Sequence, residues 1–306
     1  MKRYLFMILL GWLLLAVAGC QSGKIVDDGK LKVVATTGMI GDAVINIAGD
    51  NVKLSTLMGP GVDPHLYKAT KGDIDNLSTA DIIIYNGLHL EAKMAEIFSR
   101  MGRSKTTVAV GAAIPDSLLR FPTEFEGHPD PHIWFDLSLW EIALEEVMTS
   151  LVMIDSANAD QYRANGAAYL DSVRNLHGWV IEQIALIPED QRILVTAHDA
   201  FGYFGRAYNM EVKGLQGIST VSEAGLYDVT RMVDMLVERE IRAVFVESSV
   251  PRKAIEAVVN GCRERGHEIT IGGELFSDAM GEAGTPDGTY FGMVRHNVNT
   301  IVNALR

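Results

Sequence analysis

The sequence predicts an α/β protein of two lobes, each with a mostly parallel sheet flanked by helices, joined by one long rigid helix. Short apolar runs rich in β-branched residues alternate with amphipathic helical patterns along the chain, as in parallel sheets that helices cover on both faces. One helical pattern midway along the chain is much longer than the others. A chain of 306 residues is also long enough to bury two domain cores.

Seven apolar runs are predicted to form strands, and most of them are followed by an amphipathic helical pattern. The predicted strands are Leu31 to Thr36, Val52 to Met58, Ile82 to Tyr85, Thr107 to Val110, Ile193 to Thr196, Ala243 to Val246 and Glu268 to Ile271. Open α/β sheets bind ligands beyond the carboxyl ends of their strands. The loops that follow these runs are therefore the segments in which functional side chains are expected.

The long helix is predicted from Asp160 to Ile187. Apolar residues recur every three or four positions in this segment, namely Leu170, Val173, Leu176, Val180, Ile184 and Ile187. Pro188 marks the end, because proline cannot continue a helix and restricts the residue before it. Such a helix spans roughly 40 Å, which is long enough to join two domains.

The N-terminus has the pattern of a bacterial lipoprotein signal. A basic start and an apolar run to Val17 precede Ala18, Gly19 and Cys20, which complete a lipobox. We expect residues 1–19 to be removed and Cys20 to be lipidated, which attaches the protein to a membrane through its N-terminal lipid. The alternative is an ordinary signal or an uncleaved N-terminal anchor, with Cys20 unmodified.

The remaining chain is predicted to divide into four parts: a flexible tether at 20–30, an N-terminal α/β lobe at 31–155, a linking helix at 156–188 and a C-terminal α/β lobe at 189–306. The second cysteine, Cys262, lies in a helical pattern and is expected to be a buried thiol, so no disulfide framework is available. The net charge of −12 argues against nucleic acid as a partner and against direct adhesion to anionic lipid.

Four potential metal ligands lie in short segments where the chain leaves a strand or enters a helix: His65, His132, His198 and Asp278. Each has a simpler explanation when taken alone, such as a surface histidine or a helix-capping aspartate. Together, three imidazoles and one carboxylate suit Zn(II), Mn(II), Fe(II) or Co(II), and they disfavour Cu(I), Ca(II) and Mg(II). Their separations are far too long for a zinc finger, so only a folded domain pair brings them together.

The histidine rings of a metal site need acceptors for their second nitrogen. The carboxylates nearest in sequence or pattern are Asp63, Asp136, Asp199 and Glu247. The other histidines are expected to be exposed or bonded locally: His89, His177, His267 and His296. His128, in an acidic loop, is kept as a residue that collects metal near the cleft.

Seven segments, in this order, resemble the TroA-like metal-binding lipoproteins of bacterial ABC importers, which are cluster A-I (family 9) solute-binding proteins: GPGVDPHLYKAT, NGLHLE, DPHIWFD, LVTAHDAFGYFGRAYN, KGLQGIST, FVESSVP and GGELFSDAMG. The resemblance covers the whole mature chain. It implies a metal buried between two lobes and held by His65, His132, His198 and Asp278. It also implies delivery to an ABC permease with its ATPase.

The resemblance leaves the metal open between zinc and manganese, with iron third. His198 occupies a position that is glutamate in some manganese-type relatives, whereas the long His-rich loop of many zinc-specific relatives is replaced here by Thr123 to Pro131. The protein is expected to be a monomer, extracytoplasmic and lipid-anchored, at the periplasmic face or the cell surface.

Two other functions compete with metal import. A surface adhesin with a structural metal would use the folded body as a contact surface. A zinc hydrolase would need a water on the metal and a general base, but four protein ligands leave little room for that water. The sequence contains neither HExxH nor a nucleophile elbow, so the chain is not expected to be an enzyme.

Overall fold

The computed structural model of the protein describes residues 29–125 and 127–306. In these residues strands and helices alternate, which confirms the predicted α/β class. The strands are β1 Leu31–Ala35, β2 Val52–Thr56, β3 Ile82–Tyr85, β4 Thr106–Ala109, β5 Ile193–His198, β6 Glu211–Gln216, β7 Ala243–Glu247 and β8 Thr270–Leu275. The α-helices are α1 Gly38–Ala48, α2 Lys71–Thr79, α3 Ala95–Met101, α4 Leu137–Ile154, α5 Ala159–Ile184, α6 Gly202–Tyr208, α7 Leu226–Glu238, α8 Lys253–Glu264 and α9 Tyr290–Leu305.

The first four strands form one parallel sheet in the order β2-β1-β3-β4. Successive side chains of a strand point to opposite faces. Val33 and Ile82 accordingly join a core with α1 and α4, whereas Val34 and Ile83 join a second core with α2 and α3. Helices therefore cover both faces, as the apolar runs predicted. Strand β1 lies between β2 and β3, so the strand order reverses beside β1, and open α/β sheets bind ligands at the carboxyl edge of such a point.

The other four strands form two parallel pairs, β5-β6 and β7-β8, and β5 packs beside β7. Val195 and Val244 face a core with α7 and α8, while Leu194 and Phe245 face the core that contains α9. Strand β6 was not predicted. Its sequence, EVKGLQ, alternates exposed and partly buried positions, as an edge strand does, and so has no apolar run.

Helix α5 is the predicted long helix, and its 26 residues span roughly 39 Å. It packs against α4, α1 and α9. The apolar positions that predicted it are all buried. Gly166 allows close approach to α4, because a Cβ there would lie 2.4 Å from Met148 Sδ. The helix ends three residues before the predicted Ile187, which instead closes a turn by donating to the carbonyl of Ile184.

Residues 31–306 form one compact unit, and the largest core cluster runs from β1 and α1 through α5 to α9. Cys262 is fully buried in α8, as expected. The predicted signal peptide, Cys20 and almost all of the predicted tether lie outside the described residues. Within 29–125 and 127–306, no helix is both long and apolar enough to cross a membrane.

Candidate metal centre

The four predicted ligands come together in one buried cluster. His65 lies in the loop after β2, His132 follows the loops beyond β4, His198 ends β5 and Asp278 follows β8. Each offers a ligand atom, and these atoms all lie within 4.8 Å of one another. All four residues are buried, with at most 2% of their surface exposed. The carboxyl ends of strands from both halves of the chain thus supply a single site.

Four of the separations between ligand atoms are close to the edge length of a metal-centred tetrahedron. His65 Nε2 lies 3.4 Å from His132 Nε2, and Asp278 Oδ1 lies 3.3 Å from His132 Nε2. Asp278 Oδ2 lies 3.3 Å from His198 Nε2 and 3.7 Å from His65 Nε2. Ligands at about 2.0–2.1 Å from a tetrahedral zinc stand roughly 3.3–3.4 Å apart. The cluster is therefore already spaced for one ion.

Several atoms at the centre of the cluster lack any other partner. Within 29–125 and 127–306, His198 Nε2 and both carboxylate oxygens of Asp278 are buried without a hydrogen bond. Burying polar atoms unpaired costs free energy, more so for a charged group. A cation bound between them would satisfy all three atoms, so the residues present fit a metal.

His132 is held by a carboxylate on the side away from the cluster. Asp130 Oδ1 lies 2.8 Å from His132 Nδ1 and also accepts from the His132 backbone amide at 3.0 Å. Arg120 donates to Asp130 Oδ2 at 2.5 Å, and Tyr203 donates to the Asp130 carbonyl at 3.0 Å. A carboxylate on Nδ1 directs the lone pair of Nε2 into the cluster and raises the basicity of the ring.

Glu247, at the end of β7, supports His198 in the same way. Its Oε2 lies 2.5 Å from His198 Nδ1, and its Oε1 accepts from the His198 backbone amide at 2.8 Å. Glu247 is 1% exposed. Both oxygens of a deeply buried carboxylate therefore lie against one histidine, which fixes the position of the ring.

His65 depends on a contact that joins the two halves of the chain. Asp63 Oδ1 accepts from the His65 backbone amide at 2.8 Å. Thr220, in the loop after β6, donates its hydroxyl to Asp63 Oδ2 at 2.5 Å. Asp63 thus fixes the His65 loop against the C-terminal half.

The segment of Asp278 is fixed by side chains from both halves. Asn297 of α9 donates to the Phe276 carbonyl at 2.7 Å and accepts from the Phe276 amide at 2.9 Å. Trp134 donates its indole N–H to the Ser277 carbonyl at 3.0 Å. These bonds leave the Asp278 backbone little freedom to withdraw its carboxylate from the cluster.

Of the four carboxylates proposed as ring acceptors, only Glu247 contacts an imidazole. Asp63 holds a backbone amide, Asp136 caps α4 by accepting from Ser138, and Asp199 bonds no histidine ring within 29–125 and 127–306. Asp130 was not among the predicted acceptors. The repeated tripeptide Asp-Pro-His at 63–65 and 130–132 would have found it, since each aspartate accepts from the amide of the histidine two residues later.

The side chains of the cluster differ in the direction in which their pKa values are shifted. Burial lowers the pKa of His65 to about 3, against the opposing charge of Asp278. Burial also acts to lower the pKa of His132, but the neighbouring carboxylates of Asp130 and Asp278 raise it to about 9. The pKa of Asp278 falls well below its usual value, because His198 and His132 outweigh the effect of burial. At neutral pH the metal-free cluster therefore holds at least one proton that a metal must displace.

The remaining histidines lie apart from this cluster. Three make local bonds: His177 to the Tyr208 hydroxyl, His267 to the Ile241 carbonyl and His296 to the Glu274 carbonyl. His89 and His128 contact each other. This pair was not predicted, because no spacing rule connects the two loops.

Comparisons with known proteins agree with this site. The family described as "ZnuA: Zinc-uptake complex component A periplasmic" matches residues 33–304. The manganese-binding lipoprotein MntA of Bacillus subtilis (strain 168) is 51% identical over 294 residues, which is 95% of each chain. The zinc-binding protein TroA of Treponema pallidum (strain Nichols) is 51% identical over 278 residues, 91% of this chain and 90% of that protein.

The fold agrees as well. The solved structure of the periplasmic zinc-binding protein TroA from Treponema pallidum superposes with a TM-score of 0.89 at 50% identity, covering 90% of this chain and 99% of that one. The profile match and the whole-length relatives lead to the same assignment: this chain belongs to the ZnuA family of zinc-uptake components.

Proposed function

We propose that this protein captures a divalent transition metal outside the cytoplasm and delivers it to an ABC permease for import. The observation that carries the proposal is the convergence of three imidazoles and one carboxylate, all buried, whose ligand atoms lie within 4.8 Å of one another. His65, His132, His198 and Asp278 are the ligands. A buried site of four protein ligands without an open position is suited to holding an ion rather than to activating water.

Zinc and manganese are the proposed cargoes. Three imidazoles favour zinc by ligand type, and four of the ligand-atom separations are close to those of a tetrahedral zinc site. Asp278 presents both oxygens, at 3.3 Å from His132 and His198 respectively, so a metal that takes more than four ligands can bind it through both. MntA, named for manganese, and TroA, named for zinc, are equally similar to this chain. Iron ranks third.

The chain would work as two lobes, 31–155 and 189–306, bridged by the helix within 156–188. Helix α5 packs against α1 and α4 of the first half and α9 of the second, so the bridge is supported along its length. Lobes joined in this way should move by small shifts and by ordering of loops. The Asp63–Thr220 bond at 2.5 Å is a contact that such a shift would break.

Attachment and partners complete the proposal. Lipid on Cys20 would keep the receptor, as a monomer, at the outer side of the membrane, where a permease and its ATPase accept the metal. The receptor would catalyse no reaction, because its central side chains bind the cargo and leave no nucleophile or base to act on a substrate.

Elemental analysis of protein purified from its native membrane without chelator tests the proposal. We expect about one zinc or manganese per chain in the wild type, and none in a folded His65→Ala/His198→Ala double variant. Metal-free wild type would contradict capture. Equal metal in the folded double variant would place the ion elsewhere. Mass spectrometry of the same sample reads the lipid on Cys20.

Glu247→Gln is expected to weaken metal binding about 10- to 100-fold, because His198 loses the carboxylate that orients its ring and raises its basicity. Competition with a calibrated chelator measures the change in affinity. Glu211→Gln is the matched control, since Glu211 is a partly exposed carboxylate in the same half that pairs with Arg239. Equal affinity in the Glu247 and Glu211 variants would show that Glu247 does not support the ligand.

Thr220→Val is expected to speed metal release about tenfold, because Asp63 loses its hydroxyl donor and the His65 loop loses its link to the C-terminal half. Stopped-flow mixing of metal-loaded protein with excess chelator measures the release rate. Thr220→Ser keeps the hydroxyl and should release metal at the wild-type rate. A valine variant as slow as wild type would mean that this bond does not retain the metal.

A further inference from the structure

Two histidines outside the metal centre face each other at the protein surface. The ring centroids of His89 and His128 are 3.7 Å apart, with the planes tilted by 52°. His89 is exposed and His128 is partly exposed. His89 lies between β3 and α3, and His128 lies in the loop before His132, so two separate loops form the pair.

The backbone is strained where it presents His89. Gly87, Leu88 and His89 all have positive φ, at 76°, 52° and 68°, and each non-glycine residue in this region costs about 1–2 kcal/mol. Buried Glu91 holds the turn by accepting from the amides of Asn86 at 2.8 Å and Gly87 at 3.1 Å. The fold therefore fixes an unfavourable conformation that directs one imidazole at another.

His128 is fixed from its own side. Its amide donates to the Phe125 carbonyl at 2.9 Å, and the Phe125 ring lies edge-on to the imidazole at 5.8 Å between centroids. Within 29–125 and 127–306, neither imidazole of the pair makes a hydrogen bond or an ion pair with another residue. The nitrogens are thus available, and partial burial of the ring together with His128 lowers the pKa of His89, which favours the neutral form that binds metal.

We propose that His89 and His128 form a second, peripheral binding site for a divalent transition metal that prefers imidazole ligands, such as zinc. The imidazoles of the central cluster that can share one ion have centroids 5.3–5.4 Å apart, so rotations of the exposed His89 side chain that move the two rings apart would let one nitrogen of each bind the same ion, and water completes its coordination. Four residues of extended chain span at most about 14 Å, so the peripheral ion is held near His132. With two ligands instead of four, the peripheral site is weaker than the central one.

The ligand type gives this site a selectivity of its own. Zinc binds imidazole readily, whereas manganese stands at the weak end of the divalent series and prefers oxygen ligands. The peripheral site should therefore take zinc and not manganese. The same protein would bind two zinc ions but one manganese ion.

Calorimetric titration of zinc into the mature protein, already loaded with one equivalent of zinc, tests the peripheral site. We expect a second equivalent in the micromolar range, weakened at least tenfold in His89→Gln and in His128→Gln. His296→Gln, which removes a surface imidazole elsewhere, should leave the second equivalent unchanged. Manganese titrated into manganese-loaded protein should show no second equivalent.

A second zinc equivalent that persists in both His89→Gln and His128→Gln would overturn the peripheral site, and so would its absence from the wild type. Ring nitrogen NMR signals of His89 and His128 that do not shift with the second equivalent would also contradict it. The first equivalent is followed separately in His198→Ala. A first equivalent that still binds in this variant would count against the central site alone, because His89 and His128 are intact there.

Discussion

Asp278→Asn is expected to weaken metal binding by about a thousandfold or more, equivalent to ~4 kcal/mol. The carboxylate is the only anionic group of the cluster and lies 3.3 Å from both His132 Nε2 and His198 Nε2. Loss of a supporting residue costs 10- to 100-fold in metal affinity, and loss of a direct ligand should cost more. The amide keeps the volume and removes the charge, so the variant isolates the role of charge.

The control for this variant is a comparison of its unfolding with that of the wild type, both without metal. Asp278 contributes one side chain to a protein whose core continues through α1, α4, α5 and α9, so we expect the asparagine variant to unfold as cooperatively as metal-free wild type. Metal should raise the melting temperature of the wild type and not that of the variant. A variant that binds metal as tightly as wild type would remove Asp278 from the site.

Metal affinity is expected to fall at least tenfold per pH unit between pH 8 and pH 6, hence by at least about 100-fold over this range. Affinity falls as the pH falls because of His132, whose pKa of about 9 in the metal-free cluster leaves the ring protonated below that pH. Each proton that metal displaces costs a factor of ten per unit below the pKa. His65 adds nothing, because its pKa of about 3 leaves it neutral throughout.

Calorimetry in buffers of different ionisation enthalpy measures the protons released. At pH 7 we expect at least one proton per metal. Asp130→Asn removes a bond that raises the pKa of His132, so its affinity should depend less steeply on pH. Affinity that does not change between pH 6 and pH 8 would show that the metal binds elsewhere.

The α/β class and most elements could be predicted because their signals are local. Buried parallel strands such as Ile82–Tyr85 are continuous apolar runs, and that strand was predicted with its observed bounds. The spacing of Leu170, Val173 and Leu176 predicts helix α5. Edge strand β6 has no such signal, because within residues 29–125 and 127–306 it pairs with β5 alone and exposes part of its surface.

The candidate site, too, could be predicted only in part. Each of its four central residues follows a strand or a turn former, so the sequence marked the positions, and the family resemblance joined them into one set. The surrounding bonds depend on tertiary distance. Nothing in the sequence connects Thr220 to Asp63 or His89 to His128, because each pair joins loops that only the folded chain brings together.

The most direct test of the central claim is a crystal structure of the protein loaded with one equivalent of zinc, with data collected at the zinc absorption edge. We expect one strong anomalous peak at about 2.0–2.2 Å from the Nε2 atoms of His65, His132 and His198 and from an oxygen of Asp278. A strong peak at any other place, or no peak in the zinc-loaded crystal, would contradict it.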